Sequence, residues 1–223
     1  LDKILILLPI WEREKITRIC LDNLRELKKD LNIDVLCVVS ENWAKIAAFE
    51  YGFKYVYASN DCLGSKMNVG VKEALRYKWD YLMNLGSDDL ISKELFKTYE
   101  PHLKKGVDVL GITKVTFLDS VSKEAKEFDY KIMIGAGRCI KRKLIEEVGE
   151  MYDKVQVGLD RNSARKFDKY GATELDVPYN MIVDIKSDVN IWNYEELPFN
   201  EKISFEKAVE GLSSRYIDKI LEL

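Results

Sequence analysis

The chain has 223 residues, 47% hydrophobic and 33% charged, enough for one large α/β domain or two small ones with a sizeable core. A net charge of −3 and a pI near 5.5 give no global attraction to nucleic acid or an anionic membrane. Cys20, Cys37, Cys62 and Cys139 form no C-x-x-C pair and indicate buried thiols in a reducing compartment, and a lone histidine, His102, disfavours zinc.

The first apolar run, "ILILLPIW" (4–11), is too short to span a bilayer and lacks the basic lead-in of a signal peptide, so a cytoplasmic location is expected. Within it, "KILILLP" (3–9) predicts a strand buried on both faces. Ile16, Ile19, Cys20, Leu24, Leu27 and Leu31 then recur at three- or four-residue spacing, an amphipathic helix. "DVLCVVS" (34–40), "KYVYAS" (54–59) and "DYLMNL" (80–85) read as further strands. Helices over 43–52, stopped by Gly52, and over 65–78 separate them. This alternation implies a mostly parallel sheet covered on both faces, with its ligand crevice at the carboxyl ends of the strands.

The second half predicts two longer strands, 107–119 and 129–137, joined by a charged turn, and short helices over 141–149 and 158–171. Strand-like pieces follow at 173–177 and 181–185, and one helix closes the chain from Ser204. The densest basic segment, "RCIKRK" (138–143), reads as a solvated helix start. The expectation is one domain, 1–223, with a nucleotide-type half (1–106) and a smaller, antiparallel acceptor-type half (107–223).

"DYLMNLGSDDLIS" (80–92) delivers Asp88 and Asp89 to the tip of the fourth strand. Aspartate favours helix starts, but Ser92 is already placed to cap the next helix. The other use of such a pair is Mg²⁺ or Mn²⁺, which takes one or two protein carboxylates and fills its remaining positions with phosphate and water.

"ILILLPIWERE", "LGSKMNVGVKEAL" and "YLMNLGSDDLI", in that order, resemble the GT-A fold glycosyltransferases of the large family 2 type. The resemblance runs from residue 3 to about 175. Pro9, Trp11 and Arg13 match the family's first turn, with Glu12 where Asn is usual, and Asn68 and Gly70 match its Asn-x-Gly helix. The family's Asp-x-Asp motif departs: Gly86 replaces its first acidic residue, so the resemblance assigns the metal to Asp88 and then Asp89, with Ser87 on the donor side. "GAGRCIKRKLIEEVGEMYDKVQVGLDRNSARKFDKYG" is similar to the acceptor-side segment, which makes Asp160 the catalytic base and Arg165 the helix arginine.

What this implies is a metal-dependent, inverting transfer of a sugar from a nucleoside diphosphate, a UDP-sugar, to an acceptor hydroxyl. A cation stabilises the leaving diphosphate and a carboxylate accepts the hydroxyl proton. Asp160 is equally suited to capping its helix. Glu41 stands where the family often contacts the nucleotide base, and is equally an exposed loop charge. Lys66 could approach a phosphate or lie on the surface. Lys186 and Asp188 are candidate late donor contacts, and Trp192 either a sugar or acceptor platform or lid packing. The acceptor stays open among a glycan, a lipid carrier, a protein and a hydroxylated base in DNA. A nucleotidyltransferase would need a glycine-rich phosphate loop after the first strand, where this chain has "PIWERE". A catalytically silent nucleotide- or sugar-binding module of the same fold remains the alternative.

Overall fold

Ile4, Ile6, Leu8 and Ile10 of strand β1 (Ile4–Ile10) point into one apolar cluster, and Leu5 and Leu7 into a second on the opposite face. The period of two in an extended chain makes this division, so an all-apolar strand must be covered on both sides. The computed structural model describes residues 2–187 and 194–223.

Helix α1 (Glu14–Asp30) covers the first cluster, burying Ile16, Ile19, Cys20, Leu24 and Leu27 as their spacing predicts. Strand β2 (Ile33–Val39), helix α2 (Asn42–Glu50) and strand β3 (Lys54–Tyr57) follow. Gly52 ends this helical segment in the left-handed conformation, φ 73°. Helix α3 (Leu63–Ala74) covers the second cluster with Met67, Val71 and Ala74, and strand β4 (Tyr81–Asn84) pairs parallel to β1.

The chain then makes a short strand absent from the sequence expectation, β5 (Asp89–Ile91), before helix α4 (Lys93–Lys104). Ser92 does cap α4, its Oγ accepting from Leu95 N–H. The expected single strand over 107–119 divides at Thr113 into β6 (Val109–Ile112) and β7 (Lys114–Asp119), which lie in different sheets. Strand β8 (Ala125–Asp129) pairs antiparallel with β7. The strand expected over 129–137 does not form: residues 130–138 run outside any ladder, and pairing resumes at β9 (Cys139–Lys141). Only the end of "RCIKRK" is the expected helix start, with Arg142 and exposed Lys143 opening α5: Arg138 is wholly buried and β9 occupies the middle of the segment. Helices α5 (Arg142–Val148) and α6 (Leu159–Phe167) and strands β10 (Ala172–Leu175), β11 (Ile182–Lys186) and β12 (Glu201–Ile203) follow. The closing helix is two pieces, α7 (Phe205–Val209) and α8 (Ser214–Leu221), parted around Gly211.

Two sheets result. The larger has the order β10-β6-β9-β4-β1-β2-β3, parallel except for β9, and the smaller β12-β8-β7-β11-β5 is mainly antiparallel. The halves of the chain exchange strands: β6, β9 and β10 complete the first sheet, while β5 leaves the first half for the second sheet. Among the described residues no helix is long and apolar enough to cross a membrane.

Gly70, the glycine of Asn-x-Gly, sets how closely α3 approaches the sheet. A Cβ there would overlap Val38 Cγ2 and lie 2.7 Å from Leu7 Cδ1. Both neighbours belong to buried central strands, and overpacking of this kind costs about 1–3 kcal/mol. Gly70→Ala is expected to lower the urea midpoint by that amount at unchanged m-value, measured by equilibrium unfolding.

Candidate active site

The turn leaving β1 has two consecutive non-glycine residues in the left-handed region, Glu12 (φ 51°) and Arg13 (φ 52°). Such a conformation costs roughly 1–2 kcal/mol per residue, so neighbouring contacts must hold it. Glu41, at the end of β2, accepts the Glu12 N–H at 2.8 Å, and the Arg13 guanidinium forms an ion pair with Asp88. Glu41 thus supports the turn through one carboxylate oxygen. The strain aims Arg13 across the tips of the strands at the acidic loop after β4.

That loop explains the missing first aspartate. Gly86 N–H donates to Asp89 Oδ2 at 2.6 Å, and a Cβ on Gly86 would lie 2.6 Å from Asp88 Oδ1 and 2.8 Å from Asp89 Oδ2. The two carboxylates wrap the glycine and leave no room for a side chain. A third carboxylate, not singled out from the sequence, joins them. Strand β11 pairs antiparallel with β5 in a register that sets Asp184 directly opposite Asp89. Asp88, Asp89 and Asp184 each offer an oxygen within 4.8 Å of the others. Its only warning in the sequence was one acidic residue within the apolar run "MIVDI" (181–185).

Like charges directly opposed across a ladder destabilise it, and here they are also withdrawn from water. Burial pushes the Asp89 carboxyl well above its ordinary range, and the charges of Asp184 and Asp88 add to this. Burial also raises Asp184, to about 6, against the pull of Lys186. Asp88 goes the other way: burial opposes its charge, but Arg13 and Lys186 outweigh it and hold the carboxyl below its usual value. Lys186 donates to Asp184 Oδ2 at 2.6 Å, and Asp184 Oδ1 is buried without a hydrogen-bond partner among the described residues. An all-carboxylate donor set without thiolate or imidazole, one oxygen of it still unmatched, fits Mg²⁺ or Mn²⁺.

A cavity of about 880 Å³ opens from this cluster. Pro9, Trp11, Arg13, Lys66, Ser87, Asp88, Asp89, Lys186 and Asp160 all line it. Lys66 is buried, not on the surface. It donates to Ile10 O, Ser40 Oγ (3.0 Å) and Asn60 Oδ1 (3.2 Å), tying the ends of β1 and β2 to the loop before α3, and burial lowers its pKa to about 8. Asn68 does not line the cavity; its amide clasps the Tyr152 backbone in both directions, at 2.7 and 3.0 Å. Arg165 is exposed and outside the wall, while Arg161, one turn earlier on α6, lies on it. Asp188 and Trp192 fall outside the described residues.

Asp160 is not a cap. The residue before the helix is Gly158, in the left-handed conformation, and Asp160 sits in the first turn with Oδ2 accepting from Gly135 N–H at 2.9 Å. A Cβ on Gly135 would collide with this carboxylate. Arg138 anchors the same turn from beneath, donating to Asp160 O, Ser163 Oγ and Met133 O. The glycine and arginine of "GAGR" (135–138) together place Asp160.

No protein-family model matches the sequence, and no curated protein does either. Solved structures do match in fold. S. aureus TarS superposes with a TM-score of 0.57 at 16% identity, over 84% of this chain but only 35% of that one. The 4-diphosphocytidyl-2C-methyl-D-erythritol synthase of Anaerococcus prevotii gives 0.56 at 17% identity, over 87% and 92%. The glucosyl-3-phosphoglycerate synthase of Mycobacterium tuberculosis, in complex with Mn²⁺, UDP and glucosyl-3-phosphoglycerate, gives 0.54 at 12%, over 78% and 69%. The chain thus has a GT-A-like fold, and spans about a third of the length of TarS.

Because Asp89 and Asp184 titrate higher in the folded than in the unfolded chain, protonating them favours the folded state. The metal-free protein is expected to become more stable as pH falls from 7.5 through 6 to 5. The contribution of Asp88 is lost only below the ordinary carboxylate range. Mn²⁺ should invert the order, stabilising most at pH 7.5, where the trio is ionised. Melting temperatures at pH 7.5, 6 and 5, with and without Mn²⁺, check this.

Proposed function

We propose that this chain transfers a sugar from a nucleoside diphosphate sugar, a UDP-sugar, to an acceptor hydroxyl with inversion at the anomeric carbon, using Mn²⁺ or Mg²⁺. The observation that carries this reading is the meeting on one cavity of a largely shielded carboxylate trio with its two cations and a separate, backbone-anchored carboxylate, Asp160. Asp88, Asp89 and Asp184 would hold the ion, which when bound supplies positive charge against the leaving diphosphate. Arg13 and Lys186 add fixed positive charge to the same wall and need no reorganisation as negative charge develops. Asp160 accepts the proton of the attacking hydroxyl. Its Oδ2 is fixed by Gly135 N–H, which leaves Oδ1 for the acceptor. A single base working opposite the leaving group gives inversion. Free cysteines, three of them buried, fit a reducing compartment such as the cytoplasm.

Among the proteins of similar fold, the mycobacterial synthase is described with UDP-glucose, phosphoglyceric acid and Mn²⁺, and with UDP and Mg²⁺, which supports the choice of donor and ion. The Anaerococcus synthase raises nucleotidyl transfer as a rival. The turn after β1 argues against it: this turn contains no glycine to cradle a phosphate, and Arg13 is engaged with Asp88.

A thermal-shift screen of nucleotide sugars tests the reading. A UDP-sugar with Mn²⁺ should raise the melting temperature, since a ligand that binds only the folded state must do so. Asp88→Ala with Asp89→Ala should abolish the shift, and survival of donor affinity and turnover in that folded variant would refute the proposal. Asp160→Asn should keep the donor shift while lowering transfer by about 10²–10⁴-fold, read by release of UDP with and without acceptor. Metal-dependent hydrolysis of the donor separates an enzyme from a silent binding module.

A further inference from the structure

The register of the smaller sheet places an apolar surface directly beside the carboxylates. Residues opposed across adjacent strands share a face, and neighbouring strands lie about 4.8 Å apart. Asp89 opposes Asp184, and Asp184 opposes Phe117. One pair further along β7, Val115 opposes Phe128. The cavity wall continues through Tyr130, its ring edge-to-face with Phe128 at 4.6 Å between centroids. It ends in a rim at Ile132 (45% exposed) and Val157 (52% exposed). Asp160 lines this same cavity, and its charge is felt at Tyr130, as is that of Asp184. A molecule bringing a hydroxyl to Asp160 while the donor occupies the carboxylates has this wall available within the same cavity.

We infer that the acceptor carries an apolar body, an alkyl or aryl group attached beside its reactive hydroxyl, which lies along Val115, Phe117, Phe128 and Tyr130 and leaves past Ile132 and Val157. This assignment rests on the transferase reading. A free hydrophilic glycan needs polar side chains to replace its lost water. Here the wall along β7 and β8 offers aliphatic and aromatic groups; of the cavity's amides, Asn60 accepts from Lys66 and Gln156 from Leu63 N–H, and Lys131 and Arg161 are exposed charges. Apolar groups exposed at the rim have a reason to be there if a substrate covers them.

N-phenyl-1-naphthylamine fluorescence, titrated on the whole chain, tests the subsite without requiring turnover. Each methylene withdrawn from water is worth roughly fourfold in affinity. Octyl β-glucoside below its micelle concentration should therefore displace the probe at least tenfold better than methyl β-glucoside. Ile132→Asp and Val157→Asp, changes at exposed positions outside the core, should each weaken probe binding at least fivefold. Val121→Asp, at a still more exposed apolar residue that does not line the cavity, should stay within twofold. Absence of probe binding, equal displacement by the two glucosides, or equal weakening by all three variants overturns the inference. The Mn²⁺-dependent donor shift of the wild type separates the two readings. A donor shift without probe binding sinks the apolar acceptor alone, whereas probe binding with the expected variant pattern but no donor shift sinks the transferase and with it the acceptor assignment. With donor present, octyl but not methyl glucoside should change UDP release at least fivefold, and no difference between them also overturns the acceptor role.

Discussion

Two aspartates facing each other across a β-ladder, Asp89 buried and Asp184 half-buried, are the constraint on which this structure turns. Asp89 and Asp184 sit opposite one another where β5 meets β11, and Asp88 brings a third carboxylate within 4.8 Å. No fold gains stability from such an arrangement by itself. At an effective dielectric near 20, two like charges about 4 Å apart repel by roughly 4 kcal/mol. Arg13 and Lys186 offset part of this, and they do so from two different elements, the turn after β1 and the end of β11. The cluster is therefore also a joint: it ties the first strand of the large sheet to an inner strand of the small one.

Several oddities elsewhere are consequences of that joint. The left-handed pair Glu12 and Arg13 is strain accepted to aim a guanidinium at Asp88, and one oxygen of Glu41 helps to hold it. Gly86 stands where the resembled motif has an acidic residue because two carboxylates already close around it. Lys66 is buried at the same edge, with its protons on three acceptors, and so fixes the strand ends from which the donor side of the cavity is built. On the far side, Gly135 and Arg138 perform the equivalent service for Asp160, one by making room and the other by bonding its turn. Strain, buried charge and absent side chains collect around this one cavity, and the rest of the chain supplies two well-packed apolar layers to sustain them.

The GT-A-like fold is shared by proteins that carry out different reactions, so the fold alone leaves the reaction open. What narrows it is the separation of chemistry on one cavity: hard carboxylates with cations at one end, a separate anchored carboxylate on the same lining, and an apolar wall that runs from the carboxylates to the rim. A donor and an acceptor with different chemistry would find different halves of that surface.

The sequence by itself determined the alternation of strands and helices, because periods of two and 3.6 are written locally in runs such as Ile4–Ile10 and Ile16–Leu27. It also determined the placing of Asp88 and Asp89 at a strand tip and the capping of α4 by Ser92, which depend on a few neighbouring residues. It named Asp160, though through order of motifs and not geometry. Only the tertiary structure decided what depends on register between distant strands. Asp184 becomes a partner of Asp89 because β11 pairs with β5, a contact between residues 95 apart that no local pattern encodes. The same is true of the break at Thr113, where one apolar run serves two sheets, and of Asn68, Glu41 and Lys66, whose side chains bind the fold together instead of standing free. Local sequence sets which face a side chain takes, whereas burial and pairing across the fold set what it meets there.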